Sequence, residues 1–153
     1  MSDWIQVKGI IKKGHGVASG KSGDPRFPKG TIAMQKPLFA EKGLDISGYF
    51  LGTINVSIYP YLYAIEKSKY TFRDVKWADS EPAEDFSFFD CRVILNSGKK
   101  FEGLIYYPHP ETKPEHFQAP EILELLMPSI RNLNYGDEVV LELDRGQIEI
   151  HGN

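Results

Sequence analysis

FSFFDCRVILNSGKKFEGLIYY, residues 86–107, decides the fold class. Two apolar runs rich in Phe, Val, Ile and Tyr flank the tetrapeptide NSGK, in which Gly98 tolerates the positive φ that a tight turn needs. The stretch reads as a β-hairpin with strands over 86–95 and 99–107. Working outward, short stretches of the same composition recur at 5–11, 52–58, 70–77 and 137–143, separated by Gly, Pro, Asn and Asp. That pattern predicts an all-β, β-rich domain. A helix is expected only at APEILELLMP (119–128), where Pro120 suits a first helical turn, Glu121 suits the positive helix start and Pro128 is a stop. On such a helix Glu121 and Glu124 share a face. Two long connections remain, 14–30 and 108–120, and connections of that length in a small domain commonly carry function. GTIAM (30–34) echoes GTINV (52–56), which would fit a duplicated half-barrel, but over five residues chance is the better reading.

The chain of 153 residues is long enough for one domain with a real core, 1–153. No apolar run reaches the ~20 residues of a spanning helix. The start MSDWIQVKGIIKKGHG lacks the apolar centre of a signal peptide, so no membrane partner and a cytoplasmic location are expected. The single cysteine, Cys91, has no partner for an internal disulfide or a thiolate zinc site, and it reads as a plain strand residue. With 18 Lys and Arg against 21 Asp and Glu, the net charge of −3 disfavours a nucleic-acid binder and points to a small-molecule partner.

Three places carry candidate chemistry. KKGHGVASG (12–20) follows a strand and offers Gly14, Gly16 and Gly20 around His15, Val17, Ala18 and Ser19, so that backbone N–H groups can converge on a phosphate. It is neither a P-loop nor a dinucleotide fingerprint. In GTINVSI (52–58) alternation along a strand puts Thr53 and Asn55 on one face, where a hydroxyl and an amide oxygen are hard ligands suited to Mg²⁺ together with a nucleotide. Glu124 is a carboxylate able to accept hydrogen bonds from ligand hydroxyls or take a proton from one. His109 and His116 flank Thr112 in a Pro-rich loop at a spacing that matches no zinc motif. There is no GxSxG, and Ser19 has no nearby base.

In order, GIIKKGHGVASG, GTINVSI, FFDCRVILNSGKKFEGLIYYP, PEILELLMP and NYGDEVVLEL resemble the archaeal CTP-dependent riboflavin kinases over most of residues 7–143. The resemblance implies a small six-stranded cradle-loop barrel with one or two short helices. It also implies Mg²⁺-dependent transfer of the γ-phosphate of a nucleoside triphosphate, CTP in the family, to the 5′-hydroxyl of riboflavin, giving FMN. By it the loop 14–19 would bind nucleotide phosphates, Thr53 and Asn55 would bind Mg²⁺, and Glu124 would lie at the reacting hydroxyl. The flavin-phosphate contact would fall on Thr112 or His116. The chain departs from the family where Ala18 replaces the third loop glycine, where Val17 and Ser19 replace acidic and basic neighbours, and in the short connection 129–135. Arg26, Lys29 and Lys36 in the longer segment 20–40 are candidate replacement charges. Three readings follow: a divergent kinase, a flavin- or nucleotide-binding module without catalysis, and a DNA-binding or interaction barrel.

Overall fold

A computed structural model of the chain describes residues 3–13, 30–113, 119–131 and 133–152. Its elements run β1 Trp4–Lys12, α1 Thr31–Glu41, β2 Ile54–Ser57, β3 Leu62–Ile65, β4 Tyr70–Val75, β5 Glu84–Ile94, β6 Lys100–Pro108, β7 Ile122–Leu126, β8 Glu138–Asp144 and β9 Ile148–His151. The β5–β6 hairpin is present as expected, from Phe86↔Pro108 to Ile94↔Lys100. Its turn closes with Gly98 N–H donating to Leu95 O at 2.8 Å, Gly98 holding φ +88°.

The sheet order is β4-β5-β6-β7-β2-β1-β8, and β8 pairs again with β5. The six strands β5, β6, β7, β2, β1 and β8 therefore close a ring of antiparallel neighbours. Closure is possible because β5 is long: its first half pairs with β4 and its second half, Cys91–Ile94, with β8. A closed ring leaves few exposed strand edges. β3 and β9 form a separate two-stranded ribbon.

Alternation sorts the side chains into two cores. One face of the ring carries Val7 and Ile11, Val56, Phe89 and Cys91, Ile105, Leu123 and Leu125, and Leu141 and Leu143, all buried. The opposite face of β5, β6 and β7 carries Phe86, Phe88, Leu104, Tyr106 and Leu126, and these pack with Ile32 and Phe39 of α1 and Val75 and Trp77 beyond β4. Phe39 is fully buried, with ring centroids 5.2 and 5.1 Å from Phe86 and Phe88 in edge-on contact. At Gly103 the strands β6 and β7 come so close that a Cβ would overlap the Leu126 carbonyl and the Met127 sulfur.

One expectation is corrected. The segment expected to be helical over 119–128 contains β7, paired on one side with β2 and on the other with β6. Two turns between prolines make a marginal helix alone. As a strand the same residues satisfy their backbone groups on both sides and send Leu123 and Leu125 into the core. The described helix lies instead at 31–41, and the echo between GTIAM and GTINV is a coincidence of sequence, as its length suggests: one segment is helical, the other extended. α1 ends in paired closing bonds, Leu44 N–H to Phe39 O at 2.9 Å and Gly43 N–H to Ala40 O at 3.1 Å, with Gly43 at φ +101°. No helix among the described residues is long and apolar enough to cross a membrane.

Candidate functional site

In antiparallel neighbours, directly opposed residues share a face. The ladders set Lys12 opposite Asn55, Asn55 opposite Glu124, and Glu124 opposite Tyr106, one row across β1, β2, β7 and β6. Its neighbours along the strands, Ile11, Val56, Leu123, Leu125 and Ile105, are the buried apolar side chains of the other face. The strand pattern thus gathers polar oxygens on one side of β2 and β7 by pushing the alternate residues into the core. Thr53, just before β2, joins the row: its hydroxyl donates to Glu124 Oε1 at 3.1 Å.

Glu124 is held from a third direction. Lys113 Nζ stands 3.9 Å from Glu124 Oε2, and the two side chains are 17% and 11% exposed. Tyr106, opposite Glu124, donates its phenol proton to Gln35 Oε1 of α1 at 2.6 Å. Burial, with the charges of Glu124 and Glu84 behind it, holds that phenol well above its ordinary pKa and therefore protonated. Nearby, Trp77 Nε1 donates to Glu84 Oε2 at 2.8 Å. Burial pushes the Glu84 carboxyl above its usual range, while Trp77 and Lys113 pull against that rise.

A cavity of about 280 Å³ opens beside this row. Its walls include Tyr63 and Ile65 of β3, Tyr106 and Tyr107 of β6, and Pro108 and Pro120, with Lys113 and Glu124 at its polar end. Burial and then the neighbouring Tyr107 and Glu124 raise the pKa of the Tyr63 phenol. Its lining combines phenolic and apolar side chains with one ammonium and one carboxylate.

The turn that presents Lys113 is tied down by a buried relay. His109 N–H donates to Asp85 O at 2.9 Å, and His109 O accepts from the N–H groups of Thr112 and Lys113 at 3.1 and 3.0 Å. His109 Nε2 lies 2.7 Å from Ser87 Oγ and its Nδ1 3.1 Å from Glu111 Oε1. A carboxylate only accepts, so Nδ1 carries a proton toward Glu111; in the neutral tautomer with that proton Nε2 accepts from Ser87. The Ser87 oxygen in turn meets Thr71 Oγ1 at 2.8 Å. The order Ser–His–Glu matches a nucleophilic triad on paper. Ser87, however, is 2% exposed and off the cavity wall, so the relay works as an anchor for the turn.

Of the residues singled out in the sequence, Thr53, Asn55 and Glu124 come together. Thr112 does not reach the cavity wall: its hydroxyl accepts from Asp85 N–H at 2.9 Å and donates to His109 O at 3.2 Å. The loop residues Gly14, His15, Gly16, Val17, Ala18 and Ser19, and likewise Arg26, Lys29 and His116, lie outside the described residues. β1 nonetheless delivers the chain to that loop from Lys12, directly opposite Asn55. Lys36 lies within α1. Sequence reasoning missed Lys113, Gln35 and Tyr106, whose roles depend on contacts between distant segments.

The donor set of hydroxyl, amide and carboxylate oxygens suits a hard cation such as Mg²⁺. Among the described residues no group of three or more His, Cys, Asp or Glu is placed to hold a metal, so a cation here would depend on the nucleotide for further oxygens. Comparison with protein-family models, curated proteins and solved structures finds no match for this chain.

Proposed function

We propose that this chain is a divergent riboflavin-kinase-like phosphotransferase of the cytoplasm, moving the γ-phosphoryl group of a nucleoside triphosphate to the 5′-hydroxyl of riboflavin or a related polyol. The observation that carries the reading is the convergence of Thr53 and Asn55 on Glu124, which itself lines the polar end of a tyrosine-walled cavity. The resemblance named these three residues from positions far apart in the chain.

Thr53 and Asn55 would hold Mg²⁺, which neutralises the phosphate charge that builds during transfer. The geometry at Thr53 suits this: with its proton given to Glu124, the lone pairs of its oxygen are its remaining means of bonding. Glu124 accepts the proton of the acceptor hydroxyl as that oxygen bonds to the γ-phosphorus and the bond to the nucleotide's bridging oxygen breaks. Nucleoside diphosphate leaves. Tyr63, Tyr106 and Tyr107 supply flat apolar surface for the acceptor's ring.

Val17, Ala18 and Ser19 in the glycine loop favour a second reading, a flavin- or nucleotide-binding module on the same barrel without transfer. One experiment separates the two. Purified protein is titrated with riboflavin and FMN by flavin fluorescence, with and without Mg²⁺ plus CTP or ATP, and the same samples are assayed for FMN. Turnover that disappears in Asn55→Ala supports the kinase. Binding without turnover supports the module, and no flavin binding removes both.

A further inference from the structure

Lys113 and Glu124 are the one cation and the one carboxylate among the described residues lining the cavity. Every other lining side chain named there is apolar or phenolic. The Lys113 ammonium is largely enclosed, and at 3.9 Å it lies beyond hydrogen-bond reach of Glu124, attracted by charge without a direct bond. Its charge also favours the ionised form of Glu84 on the far side. An ammonium carries three donors on a flexible stem, and a half-formed ion pair at the end of an apolar cavity is a ready partner for an anionic ligand oxygen. The turn that carries it is anchored through His109, so the ammonium enters from a fixed point.

We infer that Lys113 is the anion-recognition residue of this cavity, and that it makes the cavity select a phosphate monoester over the corresponding neutral alcohol. The inference deepens the proposed function and rests on it for the flavin ligand. For a kinase it has a kinetic meaning: the product is held more tightly than the acceptor, so FMN competes with riboflavin as a product inhibitor. Glu124 opposes this selection, because a phosphate placed against Lys113 stands near its negative charge.

The test compares FMN with riboflavin on the intact protein, read by flavin fluorescence, in the wild type, Lys113→Met and Lys113→Arg. Methionine keeps the apolar stem without the charge, arginine keeps the charge, and melting temperatures confirm that each variant folds. The wild type is expected to bind FMN about ten- to a hundredfold more tightly than riboflavin. Lys113→Met should abolish that ratio and leave riboflavin affinity within twofold, Lys113→Arg should keep most of it, and Glu124→Gln should enlarge it. An unchanged ratio in Lys113→Met overturns the inference. If neither flavin binds, the proposed function fails separately, and inorganic phosphate becomes the probe. Shifts of the amide resonances over 109–113 in the wild type and not in Lys113→Met then support the anion site, and no shift overturns it.

Discussion

Asn55 and Glu124 face each other across the β2–β7 ladder, and the hydroxyl of Thr53 closes on the same carboxylate at 3.1 Å. The Thr53–Glu124 bond ties the segment that opens β2 to the cavity wall. If Glu124 takes the acceptor's proton, Glu124→Gln lowers kcat for FMN formation about a hundredfold or more while riboflavin affinity stays near wild type, because the amide keeps the shape and loses the base. Asn55→Ala is expected to abolish turnover at the Mg²⁺ concentration that saturates the wild type and to regain part of it only as Mg²⁺ is raised further. Titrating Mg²⁺ at saturating nucleotide separates the two effects.

Glu84 sets a pH dependence on stability. Burial raises its carboxyl pKa in the folded protein above the unfolded value, so the native state binds more protons in that range. Stability is then greatest below the unfolded carboxylate pKa and declines as pH rises through the raised native value. Melting temperature measured from pH 4 to 8 should fall less steeply in Glu84→Gln than in the wild type. Asp85 has the opposite sign: the Asp74 N–H and Arg73 lower its pKa, so its contribution is lost as pH falls through that depressed value.

Phe39 is the residue through which α1 grips the sheet. Its ring is fully buried against Phe86 and Phe88, and Phe39→Ala should cost about 3–5 kcal/mol in chemical denaturation. Since Gln35 on the same helix accepts from Tyr106, loosening α1 should also weaken flavin binding.

Gly103 is fixed by close approach and not by turn geometry. Gly103→Ala drives a methyl group into the Leu126 carbonyl region and should destabilise by about 1–3 kcal/mol, read as a lower denaturation midpoint with an unchanged slope.

Ser87 should stay inert to serine-directed fluorophosphonates in the folded protein, since it is enclosed and bonded to Thr71 and His109. His109→Ala leaves the buried Ser87 oxygen without its ring partner and should destabilise by about 1–3 kcal/mol. Labelling of Ser87 under native conditions would return the relay to the status of a nucleophile.

The hairpin at 86–107 was legible because turn and strand signals agree there, and Thr53 and Asn55 because alternation fixes their shared face. Residues 119–128 were not. ILELL has apolar residues at positions that fit a helical stripe and a strand alike, and only the vacancy between β2 and β6 decides between them. A helix there would put Glu121 and Glu124 on one face; Glu121 instead lies in the turn before β7, and the strand brings Glu124 to Asn55. α1 was hidden for the converse reason: Pro37 within it and no side-chain cap at Gly30 argue locally against a helix that burial of Ile32 and Phe39 sustains. The two tryptophans likewise acquire roles only through folded contacts, one with a distant partner and one with a partner seven residues on. Trp4 lies under the Arg92 guanidinium at 3.9 Å, and Trp77 bonds Glu84.

The most direct test of the central claim replaces Mg²⁺ with paramagnetic Mn²⁺ in the presence of CTP or ATP and follows amide resonances of the ¹⁵N-labelled protein. A cation held by Thr53 and Asn55 will selectively broaden Thr53, Asn55 and Glu124, in a way that needs the nucleotide and vanishes in Asn55→Ala. Broadening centred elsewhere, or none at these three residues with nucleotide present, would contradict it.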